Sequence, residues 1–127
     1  SFLCSQAVSR HTPKDQSGTI INLASLGGLQ GWVHPLPYSV SKAGVIMLTK
    51  VLAKSLAPHV RVNAIAPGTI LMRGEEDTGV KHVPKKMILM KRYGTPADVA
   101  DLVLYLATKG RYVTGQVFPV DGGRSIQ

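Results

Sequence analysis

The sequence is poor in cysteine, in aromatics and in acidic residues, and it has no long apolar run. Its single cysteine, Cys4, can neither close an internal disulfide nor join a ligand-spaced partner, which excludes a disulfide scaffold and a cysteine-based zinc site. A small core residue is its expected role. No apolar stretch reaches the roughly 18 residues needed to span a bilayer, and the first residues lack the basic-then-apolar layout of a signal peptide. The expectation is a soluble, cytoplasmic protein with no membrane partner. His11, His59 and His82 have no metal-ligand spacing, and Glu75, Glu76 and Asp77 read as a helix start or exposed turn, so no metal is expected. What remains is ordinary globular composition: 127 residues, 44% hydrophobic and 17% charged, one domain's worth of chain.

The shortage of acid leaves 15 Lys and Arg against 7 Asp and Glu, a formal charge of +8. The cations are scattered, with one loose concentration over residues 81–92 that is interrupted by Val83, Met87, Ile88, Leu89 and Met90. There is no run of five or six like charges and no basic and aromatic interleaving, so nucleic acid is not an expected partner.

Three short apolar segments bounded by Gly, Pro or Ser predict strands, at 19–24, 60–66 and 116–120. The near-continuous apolar character of the first two predicts burial on both faces, as in parallel sheets. Between them the pattern predicts a helix over 39–57, ended by Pro58, with Val40, Ala43, Gly44, Met47, Leu48, Val51, Leu52, Ser55 and Leu56 on packed faces. A second helix starts at Thr95, where Thr95, Pro96 and Asp98 read as a capping box, and Val99, Leu102, Val103 and Leu106 form its stripe. Residues 2–10 read as the tail of a further helix. The order helix, strand, helix, strand, helix, strand predicts an α/β fold with a parallel sheet. Three parallel strands with an apolar strand at the edge leave backbone groups unpaired, which predicts further sheet upstream of this sequence. The chain opens Ser1-Phe2-Leu3-Cys4, in mid-pattern. The long stretch over 68–94 follows a strand's C-terminal end, where ligands bind in open α/β sheets, and predicts a substrate-loop insertion over 73–94.

The residues suited to chemistry are Ser25, Tyr38 and Lys42. Tyr38 and Lys42 stand four apart on the long helix and share a face, and Ser25 ends the first strand at the sheet's carboxyl edge. A free phenol is a poor proton carrier at neutral pH, and a neighbouring ammonium favours its charged form. A serine hydroxyl beside the phenol can hold and polarise a carbonyl oxygen while the tyrosine gives or takes the proton.

In order along the chain, Gly18-Thr19-Ile20-Ile21-Asn22-Leu23-Ala24-Ser25, Tyr38-Ser39-Val40-Ser41-Lys42-Ala43-Gly44, Arg61-Val62-Asn63-Ala64-Ile65-Ala66-Pro67-Gly68 and Val120-Asp121-Gly122-Gly123 closely resemble the short-chain dehydrogenase/reductase family. The resemblance implies a Rossmann-like doubly wound sheet of which this chain is the C-terminal half, a single partial domain over 1–127, with the dinucleotide-binding half absent from the sequence. It implies an NAD- or NADP-dependent oxidoreductase that interconverts a ketone and a secondary alcohol. Ser25 would orient the carbonyl, Tyr38 would be the general acid/base, and Lys42 would support the tyrosine and hold the nicotinamide ribose. Tyr38, Lys42, Pro67, Gly68, Thr69 and Ile70 are the implied cofactor side, and Leu26, Gly27, Trp32 and His34 the implied substrate pocket. A small carbonyl or alcohol substrate and a homodimer or homotetramer are the implied partners.

The chain departs from the family's pattern in several places. The glycine-rich pyrophosphate turn and the Asn-Ala-Gly segment do not occur in these residues, and the family's fourth catalytic residue, an Asn, would fall just before Ser1. Met72 stands where many relatives carry a Thr that holds the carboxamide, and a thioether is no donor. These departures support an alternative: a non-catalytic relative that serves as a binding or assembly subunit.

Overall fold

The computed structural model of the chain describes residues 1–13, 17–72, 74–75 and 83–127. Four helices, α1 (Phe2–His11), α2 (Leu26–Gln30), α3 (Leu36–Leu56) and α4 (Pro96–Thr108), alternate with three strands, β1 (Gly18–Leu23), β2 (Val60–Pro67) and β3 (Val117–Val120). The strands form one parallel sheet in the order β1-β2-β3. The fold is therefore the expected α/β arrangement, with strand ends within a residue or two of expectation and α2 as an addition.

Burial on both faces holds for β2, where Val62, Ala64, Ile65 and Ala66 are fully buried, but not for β1. Most of β1 is half-buried and Leu23 is 57% exposed, because β1 has a strand neighbour on one side only. Above the sheet, Ile46 of α3 packs on Ala24, Ala64 and Ala66, and Leu52 and Ala53 pack on Val60 and Val62. The alanines of β2 let α3 approach the sheet closely.

Helix α3 starts at Leu36, three residues before the expected Ser39. Pro37 in its first turn removes only an N–H that has no intrahelical partner there. Of its expected packed residues, Val40, Met47 and Val51 are more than half exposed, while Ser39, Ile46, Thr49, Leu52 and Ala53 are buried. One stripe meets the sheet, and the other stays largely exposed among the described residues. Cys4 is another correction: it is exposed, because α1 buries only Ser5.

Polar side chains tie the strands to the helices. Asn63, fully buried, donates to the Val113 carbonyl and accepts from the Gln116 N–H, fixing the entry to β3. Asn22 donates to Thr49 Oγ1 at 3.0 Å, joining β1 to α3. Arg61 donates to the Leu106 and Gly110 carbonyls, a cationic cap on the last turn of α4. At the other end of α4, Thr95 and Asp98 form the expected capping box.

Candidate active site

The carboxyl edge of the sheet gathers residues from four elements around one cavity of about 360 Å³, lined by Leu23, Ala24, Ser25, Tyr38, Lys42, Pro67, Gly68, Ile70, Met72, Pro96 and Val99. Most of its wall is apolar, and Ser25, Tyr38 and Lys42 bring the polar groups. Few convergent polar groups in an apolar pocket of this size are what a small-molecule site requires.

Ser25 is buried where β1 gives way to α2. Its backbone is extended and its Oγ accepts the Gly27 N–H at 3.2 Å, so the hydroxyl serves as the N-cap of α2. That bond uses one lone pair and leaves the hydroxyl proton to donate. Tyr38 and Lys42 sit on the first turns of α3, with the Lys42 ammonium 5.6 Å from the centroid of the Tyr38 ring. The ammonium also donates to the Leu23 carbonyl at 3.0 Å, which holds it at the end of β1. A close approach secures the same place from the α2 side. A Cβ on Gly28 would stand 2.6 Å from the Lys42 carbonyl carbon, so only glycine lets α2 lie against α3 here.

The opposite wall is the turn after β2. Gly68 donates to the Val120 carbonyl, and a Cβ on it would come 2.8 Å from the Cα of Asp121, so the turn presses directly on the end of β3. Beyond it, the Thr69–Leu71 segment is paired with Gly94: Gly94 donates to the Thr69 carbonyl, and Leu71 donates to the Gly94 carbonyl. This pairing brings the two ends of the expected 73–94 insertion together and sets the first turn of α4 beside Pro67 and Ile70. Within that insertion Arg73 and residues 76–82, including Glu76, Asp77, Lys81 and His82, lie outside the described residues.

The base of the insertion is locked by charge. Arg92 makes a two-pronged bond to Asp98, with both contacts at 2.8 Å. The hydrogen bond from Arg92, with further bonds from Thr95, holds the Asp98 carboxyl well below the usual carboxylate range, and the same bond raises Arg92. Burial pushes the Asp121 carboxyl up, but hydrogen bonds from Ser125 and from the Gly123 and Ser125 N–H groups outweigh it, so the net direction is down.

Of the expected residues, Ser25, Tyr38, Lys42, Pro67, Gly68 and Ile70 meet at the cavity, and Thr69, Leu26, Gly27, Trp32 and His34 are not part of its lining. Leu26 is fully buried, Trp32 packs against Gly27, and His34 is exposed. Thr69 turns its hydroxyl behind the wall, where it accepts from Arg124 at 3.3 Å. Pro96 and Val99 were not anticipated. Their signal was topological: the helix that follows β2 must begin at the sheet edge where β2 ends. Among the described residues there is no group of three or more His, Cys, Asp and Glu placed to hold a metal ion, and no helix is long and apolar enough to cross a membrane.

Comparison with known proteins agrees with the fold. A family model described as enoyl-(acyl carrier protein) reductase matches residues 1–125. The 3-oxoacyl-[acyl-carrier-protein] reductase of Synechocystis sp. is 45% identical over 125 residues, covering 96% of this chain and 50% of that protein. The short-chain dehydrogenase/reductase homolog YusR of Bacillus subtilis is 37% identical over 128 residues, covering 98% of this chain and 97% of that one. Among solved structures, ElxO with NADP bound superposes with a TM-score of 0.89 at 32% identity, covering 99% of this chain and 54% of that one. The chain spans about half the length of the 3-oxoacyl reductases that it matches. With the motifs, the parallel sheet and these matches in agreement, the chain belongs to the short-chain dehydrogenase/reductase family.

Proposed function

We propose that the protein is an NAD- or NADP-dependent oxidoreductase that interconverts a ketone and a secondary alcohol, with Tyr38 as general acid/base. The observation that carries this reading is the convergence of Ser25, Tyr38 and Lys42 with the Pro67–Gly68 turn around one cavity at the carboxyl edge of the sheet. The cavity accommodates a flat nicotinamide ring: Pro67, Gly68 and Ile70 offer it an apolar wall, and Lys42 stands within the same cavity to bond the ribose. A nicotinamide cofactor, when bound there, supplies or accepts the hydride.

The protein's own residues handle the carbonyl and the proton. Ser25, its Oγ already accepting from Gly27, donates its hydroxyl proton to the carbonyl oxygen and fixes its orientation. The Tyr38 hydroxyl gives its proton to that oxygen in reduction and takes it back in oxidation. Lys42 places a positive charge beside the ring, the electrostatic partner that a phenolate requires once its proton has left. Leu23, Ala24, Met72 and Val99 keep the wall apolar and limit the water around the reacting oxygen.

In the full-length protein, Tyr38→Phe should lower turnover by about 10²–10⁴-fold while cofactor affinity, read by nicotinamide fluorescence, stays within about threefold. A 3-oxoacyl thioester is the first substrate to assay, given the relatives named above. Undiminished turnover overturns the role of Tyr38. Absence of both turnover and cofactor binding in the unmutated protein would favour the non-catalytic subunit instead. The exposed stripe of α3, with Val40, Met47 and Val51, suits the two-fold assembly that the resemblance implies.

A further inference from the structure

The three residues after Gly123 form a short helical turn, Arg124–Ile126, and one of them links, from behind the cavity, the two segments that carry its walls. The Arg124 guanidinium lies over the Trp32 ring, 4.7 Å from its centroid, and its Nη1 donates to Thr69 Oγ1 at 3.3 Å. Trp32 lies in the turn between α2, which Ser25 caps, and α3, and Thr69 in the turn that follows Pro67 and Gly68. On the reading given under Proposed function, one loop carries the carbonyl side of the site and the other the cofactor side.

Both ends of this link are themselves anchored. The Trp32 ring rests on Gly27, where a Cβ would come within 2.9 Å of it, and its indole N–H donates to Gln30. Its carbonyl accepts from Ser39 Oγ at 3.0 Å, one residue from Tyr38. The turn that presents Arg124 is held by the Asp121 carboxylate, which accepts from the N–H groups of Gly123 and Ser125. Arg124 also fixes the direction of the Thr69 hydroxyl: with the guanidinium occupying a lone pair, the hydroxyl proton must point elsewhere.

We propose that Arg124 is a positioning residue: by stacking on Trp32 and bonding Thr69, it sets the spacing between the Ser25 loop and the Pro67–Ile70 turn, and hence how tightly the cavity holds a carbonyl substrate. Lysine can keep the charge over the ring, whereas methionine keeps the bulk and loses both charge and donor.

The test uses the full-length protein. Arg124→Met should raise KM for the carbonyl substrate about tenfold with kcat within about threefold, and should shift the Trp32 fluorescence emission, with Trp32→Phe as the blank. Arg124→Lys should recover most of the KM. In a double-mutant cycle, Trp32→Leu added to Arg124→Met should cost little more than either change alone. An unchanged KM in Arg124→Met, or effects that simply multiply in the double variant, overturns the proposal. Should Arg124→Met not fold, an unchanged KM in Trp32→Leu overturns it equally. The emission shift does not depend on turnover, so a failure of the proposed reaction, seen as undiminished turnover in Tyr38→Phe, is distinguishable from a failure of this link.

Discussion

The two long faces of α3 both carry apolar residues, and they meet different fates. The inner stripe, Ser39, Lys42, Ile46, Thr49 and Ala53, runs along the sheet. Its middle is buried on Ala24, Ala64 and Ala66, and its first turns extend past the end of β1. Where the sheet ends, the stripe changes from Ile46 to Lys42 and Ser39, and Lys42 enters the candidate site. The outer stripe, Val40, Met47 and Val51, is more than half exposed along its length. An apolar stripe therefore records that a surface needs covering, without recording what covers it. A polar residue on an otherwise buried stripe records where the covering stops.

The largest break in this comparison comes from the inner face. Ile46→Ala removes a side chain packed on three alanines and should cost about 2–5 kcal/mol of unfolding free energy, read by urea denaturation. A smaller loss is expected at the start of α4, which borders the same cavity. Thr95→Ala deletes the cap that accepts the Asp98 N–H and should cost about 1 kcal/mol on the same assay.

Acid sharpens the contrast between the locked base of the insertion and the rest of the surface. The folded Asp98 carboxyl titrates below its unfolded value of about 3.9, so its contribution is present above that value and fades as pH falls through the folded one. Thermal melts should therefore show no change from this group between pH 5 and pH 8, as a rough window, and a loss below about pH 4 that Asp98→Asn flattens. The smallest effect on the single chain belongs to the outer stripe. Met47→Asp should leave the stability of the dissociated chain within about 0.5 kcal/mol, yet, if the proposed two-fold assembly uses this stripe, sedimentation should show it dissolved.

Much of the site was legible in the sequence. The spacing of Tyr38 and Lys42 puts them on one face of any helix, and a serine at the end of an apolar strand falls at the sheet edge in any parallel α/β fold. Other features were not legible. Helix α2 was missed because its five residues include two glycines and show no helical period. Trp32 stood between Ser25 and Tyr38 and read as a pocket residue, yet its ring lies on Gly27 beneath Arg124. No local pattern links positions 32, 69 and 124, since the contact exists only after the three strands have aligned.

The poverty in cysteine, acid and long apolar runs, from which the sequence could be read first, excluded whole classes of protein without locating any group. By itself the sequence determined the type and order of every strand and long helix and marked the residues suited to moving a proton, because hydrophobic period, capping and side-chain chemistry are local properties. Only the tertiary structure decided which apolar stripe is buried, that Pro96 and Val99 join the cavity, that Thr69 stands outside its lining, and that Arg124 links Trp32 to Thr69. Those outcomes depend on distances between segments far apart in the chain, which are set when the sheet forms and the helices pack on it.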